Sequence, residues 1–191
     1  MGATAASADN SILPLLINAL VGTRMRVVTG YVGQNEINIA AERGEVQGNN
    51  TGLSNLTVNR ADWMRDGKVR ILIQYGAERL SALKDVPTAV ELAATDLDKA
   101  LLRFYALKFN MARPIFAAPE IPADRIAALQ AAFEATMKDE KYLADARKIG
   151  LDTNWLGSRD LTAQVRQIAE TPQAVVDRLR ELLAQASAKK K

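Results

Sequence analysis

The sequence predicts an α/β fold with a mainly parallel sheet and helices on both faces. Three observations lead to this prediction. Extended apolar runs alternate with amphipathic segments along the chain, residues 25–48 have the pattern strand, loop, helix, strand, and residues 69–73 form a near-continuous apolar run. Alternating strands and helices are typical of parallel sheets, whose buried strands are apolar on both faces. The strands are few for 191 residues, which indicates two small lobes rather than one large sheet.

The first half of the chain supplies most of the predicted sheet. Its predicted elements are a helix at 9–22, a strand at 25–30, a helix at 35–44, a strand at 45–48, a helix from about 53 to 60, a strand at 68–76 and a helix at 87–94. Asp9 or Ser11 is the expected cap of the first helix, and Gly22 and Gly44 are natural helix ends. Pro87 fits the opening of the last of these helices.

The second half is predicted to be mostly helical. Its predicted elements are helices at 96–109, 122–139, 140–150, 158–170 and 171–186, with a short strand within 111–120 and an extended segment at 151–156. The helix at 122–139 has one apolar face, formed by Ile126, Leu129, Phe133 and Met137. This spacing is typical of an amphipathic helix. Ser158 and Thr171 are the expected caps of the last two helices.

Composition excludes several classes of function. The chain has no Cys and no His, so thiol catalysis, histidine-based triads and Cys or His metal sites are excluded. The net charge of +3 equals the charge of the tail Lys189–Lys191, and aromatic residues are few and scattered. A nucleic-acid-binding protein is expected to have a clustered basic face, so no nucleic-acid partner is predicted. The sequence has no signal peptide and no apolar run long enough to span a bilayer.

Two loops that precede predicted helices are candidate sites for an anionic ligand. They are GATAASADN near the N-terminus and TGYVGQNE, which begins at Thr29. Small residues let backbone N–H groups face a ligand, and the start of a helix supplies positive potential for a carboxylate or phosphate. The hydroxyls of Thr4, Ser7 and Thr29 can add hydrogen bonds. The alternative is that both loops are only tight turns, with Tyr31 packing against an edge of the fold.

No motif in the sequence indicates an enzyme. Glu36, Glu42 and Glu45 are close in sequence, but their spacing does not place them on one helical face. No nucleophile elbow and no Ser-x-x-Lys motif occurs. The aspartates lack the regular spacing of a metal-binding loop, so neither a cofactor nor a metal is predicted.

Several ordered segments of the chain resemble one known family. They are VVTGYVGQNEINIAAERGEVQG, ADWMRDGKVRILIQYG, LKDVPTAVELA and RPIFAAPEIPADRIAALQAAFEATMKDEKYLADARKIGLD. The resemblance, which covers residues 2–185, is to the periplasmic solute-binding receptors of tripartite tricarboxylate transporters, also called Bug proteins. It implies a two-lobed periplasmic-binding-protein-like fold of type II and a periplasmic location. It also implies capture of di- or tricarboxylate-like organic acids, without catalysis or a cofactor, for delivery to membrane permease subunits.

The resemblance also implies a set of ligand-binding residues. The family's ligand loops correspond to GATAAS, to the Tyr-x-Gly turn and to the polar run after GEVQG. The residues so implied are Thr4, Ala5, Ala6, Ser7, Tyr31, Gly33, Asn35, Asn49 and Thr51. These loops carry no Lys or Arg, so hydrogen-bond donors rather than cations are expected to hold the ligand.

The chain departs from the family pattern at its N-terminus. Family members have a long N-terminal section with a further glycine-rich ligand loop, and this chain is expected to be a C-terminal fragment without it. Residues 1–110 then correspond to the second lobe with the ligand loops, 111–188 to the mostly helical remainder of the first lobe, and 189–191 to a Lys tail. Exposed strand edges of such a fragment favour a homodimer. The alternative function is therefore an oligomeric interaction or regulatory module that keeps the fold without capturing a ligand.

Overall fold

The computed structural model describes residues 1–111, 114–151 and 153–188, and the Lys tail lies outside these ranges. The described residues form nine α-helices: α1 (Asp9–Val21), α2 (Gln34–Glu42), α3 (Ala61–Arg65), α4 (Ala89–Leu92), α5 (Asp96–Asn110), α6 (Ala123–Lys138), α7 (Glu140–Lys148), α8 (Ser158–Ala169) and α9 (Gln173–Ala188). A π-helical turn, Asn55–Asn59, and a 3₁₀ turn, Ser81–Leu83, complete the regular structure. The helices predicted at 9–22, 35–44, 96–109 and 122–139 agree with α1, α2, α5 and α6.

The predicted sheet is absent from the described residues. The chain is 58% helical, with 3% in strands or bridges, and the mainly parallel α/β fold and its periplasmic-binding-protein-like lobes are therefore wrong. The pairing that exists consists of three isolated parallel bridges, Gly2–Val28, Gly2–Asn49 and Gln74–Thr88. Each predicted strand pairs through one residue or none, and a ladder needs consecutive pairs.

The segment predicted as the strongest strand shows why the sheet prediction failed. It forms a single bridge, at Gln74, and Leu72 is 69% exposed. An apolar run indicates burial, but it does not supply neighbouring strands for its backbone groups. Residues 114–118 likewise form no regular element and no bridge, and Ala112 and Arg113 of that predicted strand lie outside the described residues.

The described chain divides into two compact units. Unit 1 comprises Met1–Leu53, Val69–Ala106 and the C-terminal segment from Thr171, and unit 2 comprises Ser54–Lys68 and Leu107–Glu170. The two units are interleaved along the sequence, whereas the predicted lobes meet at a single boundary near residue 110. That boundary stays a prediction.

Unit 1 has a hydrophobic core built by its helices. The core residues are Leu13, Leu16, Ile17 and Leu20 of α1, Ala89, Val90 and Ala93 in and after α4, Leu101, Leu102 and Tyr105 of α5, and Val175 and Leu182 of α9. Leu16 and Ile17 are almost fully buried. Full burial of such a side chain stabilises a fold by about 1.5–3 kcal/mol. This core therefore holds α1 and the loop that precedes it, whereas Ile37 and Ala40 of α2 are buried outside this cluster.

Unit 2 buries very little. Among its described residues only Trp63 and Ala146 are buried, and neither α6 nor α8 contains a buried residue. The ring of Phe133 meets the ring of Trp155 edge-on at 6.1 Å between centroids, and Lys138 lies 5.8 Å from the Trp155 centroid. These contacts join α6 to the segment before α8, but they do not amount to a closed core.

Candidate ligand-binding site

The loop before α1 places small, exposed residues at the start of that helix. Ala5, Ala6 and Ser7 are exposed, and among the described residues no protein atom accepts a hydrogen bond from their backbone N–H groups. The helix has no side-chain cap, since Ala8 occupies the N-cap position. Ser11, expected as a cap, is instead buried and donates its hydroxyl to the Ala5 carbonyl at 2.6 Å. Within the described part of the chain, these three main-chain donors at the start of α1 therefore have no protein partner.

Thr4 is already engaged within the protein. Its backbone N–H and its hydroxyl both donate to Asn10 Oδ1, at 3.2 and 3.3 Å. Asn10 thus fixes the entry of the chain into α1. The Thr4 hydroxyl can still accept a hydrogen bond from a ligand, but both of its donor groups are in use.

The loop before α2 resembles the first loop in its local chemistry. Gly33 is the N-cap of α2 and supplies no side-chain cap, so the first-turn N–H groups of Gln34 and Asn35 have no protein acceptor among the described residues. Gly30 has a φ of 112°, a backbone conformation that side-chain-bearing residues rarely adopt. Asn35 and Val32 are exposed, the latter by 89%.

Tyr31 packs against the N-terminal segment. A Cβ added at Gly2 would lie 3.5 Å from Tyr31 Cε2, so the ring covers the backbone at Gly2. The side chain is half-buried, in agreement with the alternative interpretation of Tyr31 as a packing aromatic. Its ring edge next to the loop can still contact a ligand.

Hydrogen bonds hold the two loops side by side. The Gly30 N–H donates to the Thr4 carbonyl at 3.0 Å, and the Tyr31 N–H donates to the Ala3 carbonyl at 3.4 Å. The Ala3 N–H donates in turn to the Val28 carbonyl at 2.8 Å. Both helix starts therefore lie close together in unit 1, and their role as a shared ligand site stays a prediction.

The polar run at 49–51 joins the same edge. Asn49 pairs with Gly2 in a parallel bridge, Asn50 Nδ2 donates to the Asp9 carbonyl at 3.3 Å, and Thr51 is half-buried. Asn49 Nδ2 donates to Asn38 Oδ1 at 2.9 Å. The structure thus brings all three predicted stretches together.

Asn38 is a site residue that the sequence analysis missed. It lies on α2 with no exposed surface, and its Oδ1 accepts from Gln34 Nε2 at 3.1 Å and from Asn49. Its Nδ2 and the Oδ1 of Asn49 are buried without a protein partner. Exchanging oxygen and nitrogen in these amides again leaves one atom of each Asn unpaired. The sequence pattern that could have indicated Asn38 is an amide side chain placed between two apolar residues, Ile37 and Ile39.

The electrostatics of the edge are mixed. Asp9 and Glu36 lie in the first turns of α1 and α2, and a Cβ added at Gly33 would lie 3.2 Å from Glu36 Oε2. The hydroxyl of Tyr105 donates to Asp9 Oδ1 at 2.9 Å, and burial together with this carboxylate raises the pKa of Tyr105. The two acidic side chains already interact with the helix dipoles, so a bound anion has to compete with them.

Comparison with known proteins found no match to any protein-family model, to any curated protein or to any solved structure. Within the described ranges, no group of three acidic, Cys or His residues is arranged to hold a metal ion. None of the described helices is long and apolar enough to cross a membrane.

Proposed function

We propose that unit 1 binds a small organic acid, of the di- or tricarboxylate type, at the edge formed by the loops before α1 and α2. The observation that supports this most is the pairing of Gly30 with Thr4, which sets two helix starts without side-chain caps next to each other. Backbone N–H groups at such positions are suited to a carboxylate. The outward-facing amides of Ala5, Ala6 and Ser7 are the proposed donors.

We further propose that the chain is a non-enzymatic receptor in the periplasm, where it delivers its ligand to a membrane permease. This part rests only on the resemblance of several sequence segments to the Bug proteins, and the parallel sheet expected from that resemblance is not formed in the described residues. A non-enzymatic role agrees with the absence of His, Cys and any nucleophile motif from the sequence.

The electrostatics of the site predict weak binding. The ligand gains hydrogen bonds to uncharged amides, while Asp9 and Glu36 repel it from both helix starts. Each charge–dipole interaction of this kind is worth about 0.3–1 kcal/mol. Glu36→Gln is therefore expected to tighten binding roughly two- to fivefold.

Thermal unfolding of the chain with succinate, malate and citrate tests the proposal, with sodium chloride at matched ionic strength as the control. Ligand that binds the folded form raises the melting temperature. Ser7→Asp places a negative charge beside the proposed donors and is expected to abolish the rise. Ala77→Asp, at an exposed loop position elsewhere in unit 1, is expected to keep it. The absence of a rise with every acid, in wild type and in Glu36→Gln, contradicts the proposal.

The interaction-module alternative has separate support in unit 2. Large apolar side chains there are exposed, including Phe116 at 88% and Ile115 at 77%. Exposed apolar patches mark association surfaces in many proteins.

A further inference from the structure

We draw no further inference here: the strongest candidate, the open apolar groove of unit 2 between residues 114–116 and α8, carries none, because nothing in the described structure shows what covers it.

Discussion

At the scale of single residues, Gln74 holds the segment that leads into α4. Its side-chain Nε2 donates to the carbonyls of Leu83 and Val86, at 3.0 and 2.8 Å, and its Oε1 accepts from the Leu80 N–H at 3.0 Å. Its backbone pairs with Thr88 in a parallel bridge. The buried Gln74 side chain thus supplies three backbone groups of this loop with hydrogen bonds that a neighbouring strand would otherwise provide.

Replacing Gln74 by Leu is expected to destabilise the chain by about 2–4 kcal/mol, because it leaves backbone groups of Leu80, Leu83 and Val86 without their partner. Gln47→Leu, at an exposed position, is the matched control and is expected to change stability little. Urea unfolding measures both. Equal stability of the two variants would show that water replaces the Gln74 side chain at no cost.

Glu91 gives the structure a defined acid response. Arg79 Nε lies 3.0 Å from Glu91 Oε2, and the Thr88 N–H donates to the same oxygen at 2.7 Å. The guanidinium of Arg79, followed by this N–H, lowers the pKa of Glu91 from 4.5 to about 2. The Thr88 hydroxyl accepts from the Glu91 N–H, which completes a capping box at the start of α4.

The lowered pKa predicts how stability changes with pH. The unfolded chain binds the Glu91 proton more readily than the folded chain, so this contribution is fully present above pH 4.5 and is lost as pH falls through about 2. Glu91→Gln is expected to flatten the stability profile in this window. Glu45→Gln, at an exposed position without a capping contact, is expected to retain the wild-type slope. Urea midpoints measured at a series of pH values compare them, and identical slopes for both variants contradict the assignment.

The sequence did not predict which residues cap the helices. Asp9 and Ser11 were reasonable caps for α1, yet Ala8 holds that position because Ser11 turns inward to the Ala5 carbonyl. Ser158 was predicted as the cap of α8, and Gly157 takes that position. Cap identity depends on backbone dihedral angles that side-chain preference does not determine.

At the scale of elements, an ion pair joins α9 to α5. Arg178 Nε lies 3.3 Å from Asp98 Oδ1, and the Asp98 side chain is only 12% exposed. Arg178 also contacts Glu181 at 2.9 Å. Hydrogen bonds to Glu181 and Asp98 raise the pKa of Arg178, so its guanidinium stays charged.

A double-mutant cycle with Asp98→Ala and Arg178→Ala is expected to give a coupling energy of about 1 kcal/mol, since the Arg178 side chain is 30% exposed and solvent screens part of the attraction. The pair Asp177 and Arg180, exposed on α9 itself, is the control and is expected to couple more weakly. Urea unfolding of the four chains in each cycle supplies the numbers. A coupling energy near zero for the first cycle would show that apolar packing alone holds α9.

Helices could be predicted from the sequence and the sheet could not, for a physical reason. The helix at 122–139 satisfies its own backbone hydrogen bonds, so the periodic pattern in one segment is enough to place α6. A strand needs partners that lie elsewhere in the chain. The apolar run 69–73 was therefore predicted as a strand from its pattern alone, but the segment has no neighbours for a ladder and forms one bridge, at Gln74.

At the scale of the whole molecule, the two units are expected to differ in local stability. Unit 1 has a core of twelve buried residues in α1, α5, α9 and around α4, whereas α6 and α8 of unit 2 contain none. Regions with few buried apolar contacts open at lower free energy than the core. Amide hydrogen exchange is therefore expected to be faster in α6 and α8 than in α1 and α5.

Exchange measured by mass spectrometry on peptides from the four helices tests this difference. Uniform protection of all four helices contradicts the prediction. The candidate loops at 2–10 and 29–36 were predicted from the sequence, whereas the hydrogen bonds of Asn10 to Thr4 and of Asn38 to Gln34 and Asn49 became visible only in three dimensions.

The crowding around Gly2 has a consequence for the tolerance of the chain to change. A Cβ at this position would lie 2.7 Å from Ile37 Cγ2, closer than real side chains approach, so no other amino acid fits without displacing α2. Gly2 also forms two of the three bridges. Saturation mutagenesis of this codon should therefore return glycine alone among variants that keep the loops before α1 and α2 in register, although the position carries no side chain and no chemistry of its own.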